Sequence, residues 1–369
     1  MTRVENPLLQ VRVQTTSTMM RSIKDEIEKT TVVSTIAPST LKPKPVVSVV
    51  VVTYNHELFI EECLLSVLKQ KTSFRFEVIV CDDGSSDGTP IILEKLAKSN
   101  KNLRVYRGRR ENNIQVMNLP TARYNSFMGI TFAQGEYLAW MDGDDFWVDE
   151  NKLQNQFQAM RENPDWSMCF TLGFMVYLDG TSGDVWHPKK REYNSIECYT
   201  ELTSKELASS RFFRTKHFKS AVPEWLLTSF CDFHMDLCAA KHGPIGHIPS
   251  YSSCYRIHSS NAYHGVKEHA KTRTQFYRNQ QFLKHGGGES WLPPEVARRQ
   301  FRHLIKSFDH PAIVKDFETI TLYDLMSYGA FKHCSFTGKL NVCTYWIFKS
   351  IQRKLLSRKP ERKGELTQT

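Results

Sequence analysis

The sequence lacks any apolar run long enough to cross a membrane. The longest such run, residues 46–52, is interrupted by Ser48, whereas a spanning helix needs roughly 20 predominantly apolar residues. The N-terminus also lacks the apolar region of a secretory signal, because Glu5 stands where that region would have to be. We therefore expect a cytoplasmic chain with no transmembrane helix.

Cysteine pairs and phosphate-cradling glycine motifs are also missing. The nine cysteines are an odd number and include no CxxC pair, a pattern that fits neither a disulfide framework nor a zinc site. We expect reduced, mostly structural thiols. Neither GxxxxGK[ST] nor GxGxxG occurs in the sequence, which argues against the common nucleotide-phosphate cradles.

What the sequence does contain is a basic, globular composition. Its 369 residues are 40% hydrophobic, and 49 lysines and arginines exceed 39 acidic residues, which gives a net charge of +10. The hydrophobic fraction predicts a folded protein. The positive charge favours anionic partners but does not choose among nucleotides, acidic lipids and nucleic acid. No aromatic and basic motif of a known nucleic-acid module supports the last of these.

Strands and helices alternate from residue 46 onward. Residues 46–53 form a β-branched run typical of a strand buried on both faces, and residues 57–70 carry apolar side chains at helical spacing. Further strands are predicted at 76–81, 103–106 and 137–141, with helices between them. This βαβαβαβ pattern predicts an α/β fold with a mostly parallel sheet, in which ligands bind at the carboxyl ends of the strands.

Two acidic clusters follow predicted strands. Four carboxylates lie within eight residues after the strand at 137–141, and a second cluster follows the strand at 76–81. Clustered carboxylates repel one another unless protons or a cation compensate, and Mg²⁺ or Mn²⁺ is the simplest cation to do so. The alternatives are a solvated acidic turn and helix N-caps. The clusters consist of Asp142, Asp144, Asp145 and Asp149, and of Asp82, Asp83 and Asp87.

These residues and several others resemble the family 2 glycosyltransferases of GT-A fold. The resemblance runs in the family's order over about residues 46–262. It is carried by Val47–Asn55 (VSVVVVTYN), Cys81–Thr89 (CDDGSSDGT), Ala122–Asn125 (ARYN), Gly135–Asp145 (GEYLAWMDGDD), Cys231–Asp236 (CDFHMD) and Tyr255–His258 (YRIH). It implies a Rossmann-like GT-A domain at 46–262, with a nucleotide-sugar half at 46–150 and an acceptor half at 151–262.

The resemblance also implies roles for single residues. Asp142 and Asp144 match the DxD element, Asp232 stands where the family places its catalytic base, and His258 matches a histidine that reaches the metal or diphosphate. The alternative for Asp232 is a helix N-cap, and the alternative for His258 is a surface histidine whose hydrogen bonds are satisfied. Asp236 lies one turn beyond Asp232 on the same helix. The implied sets are Thr53, Tyr54, Asn55, Asp83, Arg123, Asp142 and Gly143 for the donor, Asp144, Asp145 and His258 for the metal, and Asp232 for catalysis.

Two segments lie outside the resemblance. Residues 1–45 read as an N-terminal extension ending in a Pro/Lys-rich linker, and residues 263–369 read as a helical C-terminal region. Within the latter, residues 340–358 mix apolar and basic side chains. Such a helix fits peripheral contact with an anionic membrane, although a packed helix with a solvated basic face fits equally well.

The expected function is a metal-dependent, inverting glycosyltransferase. It would use Mn²⁺ or Mg²⁺ and a nucleoside diphosphate sugar, with UDP-sugars favoured. The acceptor would be a glycan or a lipid-linked glycan in polysaccharide biosynthesis, at the inner face of the membrane and with no nucleic acid involved. The competing readings are a non-catalytic nucleotide-sugar or carbohydrate binder and a metal-dependent phosphotransferase.

Overall fold

A computed structural model describes residues 43–108, 110, 115–116, 119–120, 123–183, 188–194, 197–198, 207–219 and 232–261, together with residues 343–344, 347 and 351. The chain divides into two compact units, Met1–Lys267 and Glu268–Thr369. The described parts of the first unit contain the central sheet and the candidate site. In the second unit, residues 343, 344, 347 and 351 have helical backbone. The N-terminal extension and most of the predicted C-terminal helices lie outside the described residues.

The described part of the first unit contains twelve strands. They are β1 (Val47–Thr53), β2 (Phe76–Asp82), β3 (Leu103–Arg107), β4 (Gln115–Val116), β5 (Leu119–Pro120), β6 (Tyr137–Asp142), β7 (Phe146–Trp147), β8 (Met168–Tyr177), β9 (Ser182–Gly183), β10 (Glu192–Tyr193), β11 (Arg211–Arg214) and β12 (Ile245–Ile257). Ten of them form one sheet with the principal strand order β10-β12-β8-β11-β6-β1-β2-β3, in which β7 also pairs with β12 and β9 with β8. Strands β4 and β5 form a separate two-stranded sheet.

Strand β1 lies at the centre of this sheet. All seven of its residues are buried, and it pairs in parallel with β2 on one side and β6 on the other. Valine suits this position because its branched side chain packs well on both faces of a pleated sheet. Strand β11 is antiparallel to β6 and β8, while β12 is parallel to β8. The predicted α/β class with a mostly parallel central sheet is confirmed.

Helices cover this sheet between its strands. Helix α1 buries Ile60, Cys63, Leu64 and Val67, the apolar face that the sequence pattern predicts. None of the described helices is long and apolar enough to span a membrane. The helices are α1 (Ile60–Leu68), α2 (Thr89–Ser99), α3 (Arg123–Phe132), α4 (Lys152–Glu162), α5 (Lys216–Lys219) and α6 (Asp232–Ala240), with a 3-10 turn at Ala208–Ser210.

The acceptor half contains a strand, β12, that is longer than the sequence pattern indicates. The sequence predicts a strand over residues 252–258, whereas β12 begins at Ile245. Its pairing with β8 shifts register between Ile248 and Tyr251 and again before Ser253. Pro249 lies inside this irregular stretch. Proline lacks a backbone donor and marks bulges in sheets, which explains why the first half of the strand is hard to read from the sequence.

Candidate active site

The predicted site residues of the first half, apart from Arg123, lie together at the carboxyl ends of β1, β2 and β6. Thr53 lies opposite Asp82, and Val52 lies opposite Asp142. Beyond the strands, the Asp83 amide donates to the Thr53 carbonyl at 2.9 Å, and the Gly143 amide donates to the Val52 carbonyl at 2.8 Å. The three strand ends and their loops therefore form one continuous edge, as ligand sites in such sheets do.

Asp82 has a structural role in the loop after β2. Its side chain is fully buried. Its Oδ1 accepts the Ser85 amide at 3.1 Å, and its Oδ2 accepts Arg107 Nε at 3.0 Å. The next-but-one residue, Gly84, has φ +74, a conformation that favours glycine because it has no Cβ. Both oxygens of Asp82 are therefore used within the loop. Of the two adjacent carboxylates, Asp83 is the one available to the candidate site.

Asn55 ties this loop to the end of β1. It has φ +53, in the left-handed region that asparagine tolerates better than most residues. Its Oδ1 accepts the Ser86 amide at 2.9 Å, and its own amide donates to Ser85 Oγ at 2.8 Å. The amide of the following residue, His56, donates to Thr89 Oγ1 at 2.9 Å. These bonds fix the backbone that follows Tyr54.

Tyr54 and Asp83, two of the predicted donor-binding residues, both contact Arg110. The guanidinium carbon of Arg110 lies 3.5 Å from the centroid of the Tyr54 ring, and its Nη1 pairs with Asp83 Oδ2. The structure therefore brings Tyr54 and Asp83 into one subsite. Arg110 is absent from the predicted site. Its position shortly after the carboxyl end of β3 is the sequence feature that could have indicated it.

Gly143 lies where a side chain would not fit. A Cβ at this position would be 2.8 Å from Thr53 Oγ1 and 2.9 Å from His56 Nδ1. The loop after β6 therefore packs directly on the end of β1. The Asp145 amide donates to the Asp142 carbonyl at 3.0 Å, so the acidic segment is a tight turn. Asp149 lies apart from that turn, two residues before the Asn151 cap of α4.

Asp144 is the carboxylate on which the site's nitrogen donors converge. Its Oδ2 lies 3.1 Å from His258 Nε2, 2.9 Å from Asn261 Nδ2 and 3.7 Å from His56 Nε2. Burial alone would raise the pKa of Asp144, but the hydrogen bond from His258 and the nearby His56 hold it below its ordinary value. Asp144 is therefore ionised at neutral pH. Sequence reasoning missed His56 and Asn261.

Asp145 has a different environment although it is the adjacent residue. Its side chain is fully buried, and its Oδ1 accepts the backbone amide of Arg256 at 3.1 Å. Burial raises the pKa of Asp145 strongly, and repulsion from Asp144 and Asp142 adds to this effect. In the same contact, Arg256 Nε donates to the Asp144 carbonyl at 2.9 Å. Asp145 thus joins the acidic turn to β12 and helps to bring His258 to Asp144.

These residues fit a divalent cation whose remaining ligands come from the donor. Among the described residues, no group of three or more His, Cys, Asp and Glu side chains is arranged to hold a metal ion. However, Mg²⁺ and Mn²⁺ commonly use one or two protein ligands plus substrate phosphates. Asp144 is ionised, and burial keeps the pKa of the neighbouring His56 below its ordinary value, so the carboxylate is in the form that binds a metal and His56 adds no positive charge that would repel one.

Arg123 and Asp232 are described only by their backbone. Arg123 is the first residue of α3, and Asp232 is the first residue of α6. One turn into α6, Asp236 forms a two-pronged ion pair with Arg211 of β11, at 2.8 Å to Nε and 2.9 Å to Nη2. Both side chains of this pair are almost completely buried. Asp236 is therefore committed to holding α6 on the sheet, which separates its role from that of Asp232.

This ion pair leads to a prediction on stability. Asp236→Asn leaves the buried Arg211 charge uncompensated, so we expect the free energy of unfolding to fall by about 3–5 kcal/mol. Urea denaturation measures the change. The double variant Arg211→Met/Asp236→Leu removes both charges, and it should recover most of the loss because apolar replacement of a buried pair is often neutral. Equal stability of Asp236→Asn and the wild type would show that the pair does not anchor α6.

The family model for glycosyl transferase family 2 matches residues 48–221. Residues 48–221 therefore belong to glycosyl transferase family 2. The family 2 match includes the Tyr54, Asp83 and Asp144 segments and ends before Asp232 and His258.

The GT-A fold predicted for the family is confirmed by two solved structures of Staphylococcus aureus TarS. One, of TarS 1-349, aligns with a TM-score of 0.51 at 18% identity over 84% of this chain and 91% of that one. The other, of TarS, has a TM-score of 0.53 at 18% identity over 87% and 56%.

Curated relatives of the family 2 domain come from several bacteria. An uncharacterized protein of Mycobacterium tuberculosis is 29% identical over 227 residues, which are 59% of this chain and 61% of the relative. The Escherichia coli protein WfgD is named a UDP-Glc:alpha-D-GlcNAc-diphosphoundecaprenol beta-1,3-glucosyltransferase. It is 30% identical over 179 residues, or 46% of this chain and 65% of WfgD. The chain thus spans about three fifths of the length of its first curated relatives.

Proposed function

We propose that the family 2 domain transfers a sugar from a nucleoside diphosphate sugar to an acceptor hydroxyl with inversion at the anomeric carbon. One observation carries the proposal: the Tyr54–Asp83 subsite and the Asp144 carboxylate, which His258 contacts, follow the ends of the adjacent strands β2, β1 and β6. A planar base and a metal-bound diphosphate are two parts of one donor. A site with both subsites along one edge suits such a molecule.

The donor base would stack on Tyr54 and donate an N–H to Asp83. A carboxylate accepts hydrogen bonds only, so it favours uracil, thymine and guanine, which carry ring N–H groups on their pairing edge. The name of WfgD includes a UDP-sugar donor, which supports a UDP-sugar here. Arg123, at the start of α3, would lie near the diphosphate, and Thr53, Asn55, Asp142 and Gly143 would shape the donor pocket around it.

Asp144 and His258 would hold Mn²⁺ or Mg²⁺, with Asp145 supporting the same turn. When bound, the cation supplies positive charge that stabilises the leaving diphosphate. Asp144 contributes an ionised carboxylate. Asn261 orients His258, because the His258 amide donates to Asn261 Oδ1 at 2.7 Å. Asn261 thus helps to hold the His258 imidazole beside the Asp144 carboxylate, 3.1 Å from it.

Asp232 would take the proton of the acceptor hydroxyl as its oxygen attacks the anomeric carbon. A carboxylate placed for this step typically contributes about 10²–10⁴-fold. The bond to the leaving diphosphate breaks on the opposite face of the sugar, so a single displacement inverts the configuration. The buried Arg211–Asp236 pair fixes the helix that begins at Asp232. The proposed base would therefore stand on an element held rigidly against the sheet.

The acceptor is proposed to be a glycan or lipid-linked glycan at the cytoplasmic face of a membrane, in polysaccharide or glycoconjugate biosynthesis. The name of WfgD includes a diphosphoundecaprenol-linked acceptor, which supports this class. The basic segment 340–358 would make peripheral contact with anionic lipid. Most of that segment lies outside the described residues, so this contact rests on the sequence pattern and on the net charge of +10.

A transfer assay tests the proposal. The full chain is incubated with α-linked UDP-, GDP- and dTDP-sugars, Mn²⁺ and a diphosphate-lipid-linked N-acetylhexosamine, and the product is examined by mass spectrometry and NMR. We expect one donor to give a β-linked product and to release its nucleoside diphosphate. An α-linked product would contradict inversion. Donor binding without transfer to any glycan or lipid-linked acceptor would instead indicate a non-catalytic nucleotide-sugar binder.

A further inference from the structure

The guanidinium of Arg110 occupies the two side chains that the proposed function assigns to the donor base. It stacks on the Tyr54 ring at 3.5 Å and pairs through Nη1 with Asp83 Oδ2. A guanidinium is planar, stacks on aromatic rings and carries its N–H donors in its own plane. A uracil or guanine base offers the same two features to the same two residues. Arg110 therefore makes the contacts that a bound base would make.

The backbone near Arg110 is fixed to the loop after β2. The Gly108 amide donates to the Asp82 carbonyl at 2.7 Å, and Arg107 Nη2 donates to the Ser85 carbonyl at 3.2 Å. Gly84 packs so closely here that a Cβ on it would be 3.1 Å from the Arg110 nitrogen. The same loop that presents Asp83 thus places the backbone of Arg110 within side-chain reach of it.

The side chain of Arg110, by contrast, reaches the solvent. It is 34% exposed, whereas the side chain of Asp83 is 4% exposed. Water and salt screen the guanidinium end of this pair, which weakens the pair relative to a fully buried one. The Asp83 carboxylate is therefore buried, whereas the Arg110 guanidinium that covers it is partly exposed to solvent. This combination allows a ligand to exchange with the guanidinium without unfolding the loop.

We propose that Arg110 is an internal competitor for the donor-base subsite and sets the affinity for the donor. The inference rests on the proposed function, because it takes Tyr54 and Asp83 as the base subsite. A nucleotide then binds only the fraction of molecules in which the guanidinium has moved away, so the apparent Kd is the intrinsic value divided by that fraction. The competition acts on ligands with a base and leaves ligands without one unaffected.

Isothermal titration of wild type and Arg110→Ala tests this inference. The ligands are UDP with Mn²⁺, uridine without metal, and inorganic pyrophosphate with Mn²⁺. If the guanidinium covers the subsite in about 70–90% of molecules, Arg110→Ala should bind UDP and uridine roughly three- to tenfold more tightly. Pyrophosphate should not gain affinity. Loss of a positive charge alone would weaken anion binding, so the direction of the UDP change separates competition from simple electrostatics.

Two variants control the test. Arg161→Ala removes an exposed arginine whose guanidinium lies over the Phe157 ring at 5.9 Å, outside the site, and it should leave all three affinities unchanged. Arg110→Lys keeps the charge but not the planar fork, so its UDP affinity should fall between wild type and Arg110→Ala. Unchanged or weaker UDP binding by Arg110→Ala would overturn the inference alone. No binding of UDP to either protein would overturn the proposed UDP-sugar donor site as well.

Discussion

Replacing Asp144 by asparagine is expected to lower the rate of sugar transfer by about 10²–10³-fold, as the loss of one charge-stabilising group in an active site typically does. Asparagine keeps nearly the same shape but lacks the negative charge that His258, Asn261 and His56 surround. A divalent cation would lose its ionised oxygen ligand. Transfer is measured as released nucleoside diphosphate, and Mn²⁺ affinity is measured by isothermal titration.

A matched control for this variant comes from the same segment. Glu150→Gln also removes one carboxylate, but Glu150 is exposed and pairs with Lys71 at 2.6 Å. A surface pair of this kind contributes about 0–1 kcal/mol, so transfer and Mn²⁺ affinity should stay at the wild-type level. If Asp144→Asn also kept both at the wild-type level, Asp144 would not be a metal ligand.

Asp232→Asn is expected to abolish detectable transfer while donor binding persists. An amide cannot take the acceptor's proton, and loss of a positioned general base costs about 10²–10⁴-fold. The proposed nucleotide subsite lies at the ends of β1, β2 and β6, so UDP affinity should be unchanged. Single-turnover transfer and UDP titration on the same sample measure the two quantities. Transfer at the wild-type rate would exclude Asp232 as the base.

The choice of variants distinguishes a role of Asp232 as the catalytic base from a role as the N-cap of α6. Asparagine and serine cap helix N-termini about as well as aspartate, whereas alanine does not and typically costs about 0.5–2 kcal/mol. If Asp232 is the base, the Asn, Ser and Ala variants are all inactive, whether or not the Ala variant also has a lower melting temperature. If Asp232 only caps α6, the Asn and Ser variants stay active.

The sheet centre could be predicted from the sequence because its cause is local. The run Val47–Thr53 is buried along its whole length, and such a run has few alternatives to a central parallel strand. The acidic loops follow from it, since the carboxyl ends of parallel strands share one edge. By contrast, β12 depends on pairing with β8 across a register shift near Pro249, and no local pattern encodes that pairing.

The missed site residues are those that depend on contacts between distant segments. Arg110 reaches Asp83 from 27 positions away, and Asn261 reaches Asp144 from 117 positions away. Asp144 and Asp145 are neighbours with the same side chain, yet one faces His258 and the other accepts the Arg256 amide. The sequence predicts that both are site candidates. Only the packing of β12 on the acidic turn distinguishes their environments.

The most direct test of the central claim is a thermal-shift panel of UDP-, GDP- and dTDP-sugars, each with Mn²⁺, with Mg²⁺ and with chelator. A ligand at 100 times its Kd stabilises the native state by about 2.7 kcal/mol, which is readily detected as a higher melting temperature. We predict a shift for one nucleotide, with UDP-sugars expected, that disappears with chelator. The absence of a shift for every donor, in a sample with a cooperative melting transition, would contradict the proposed donor site.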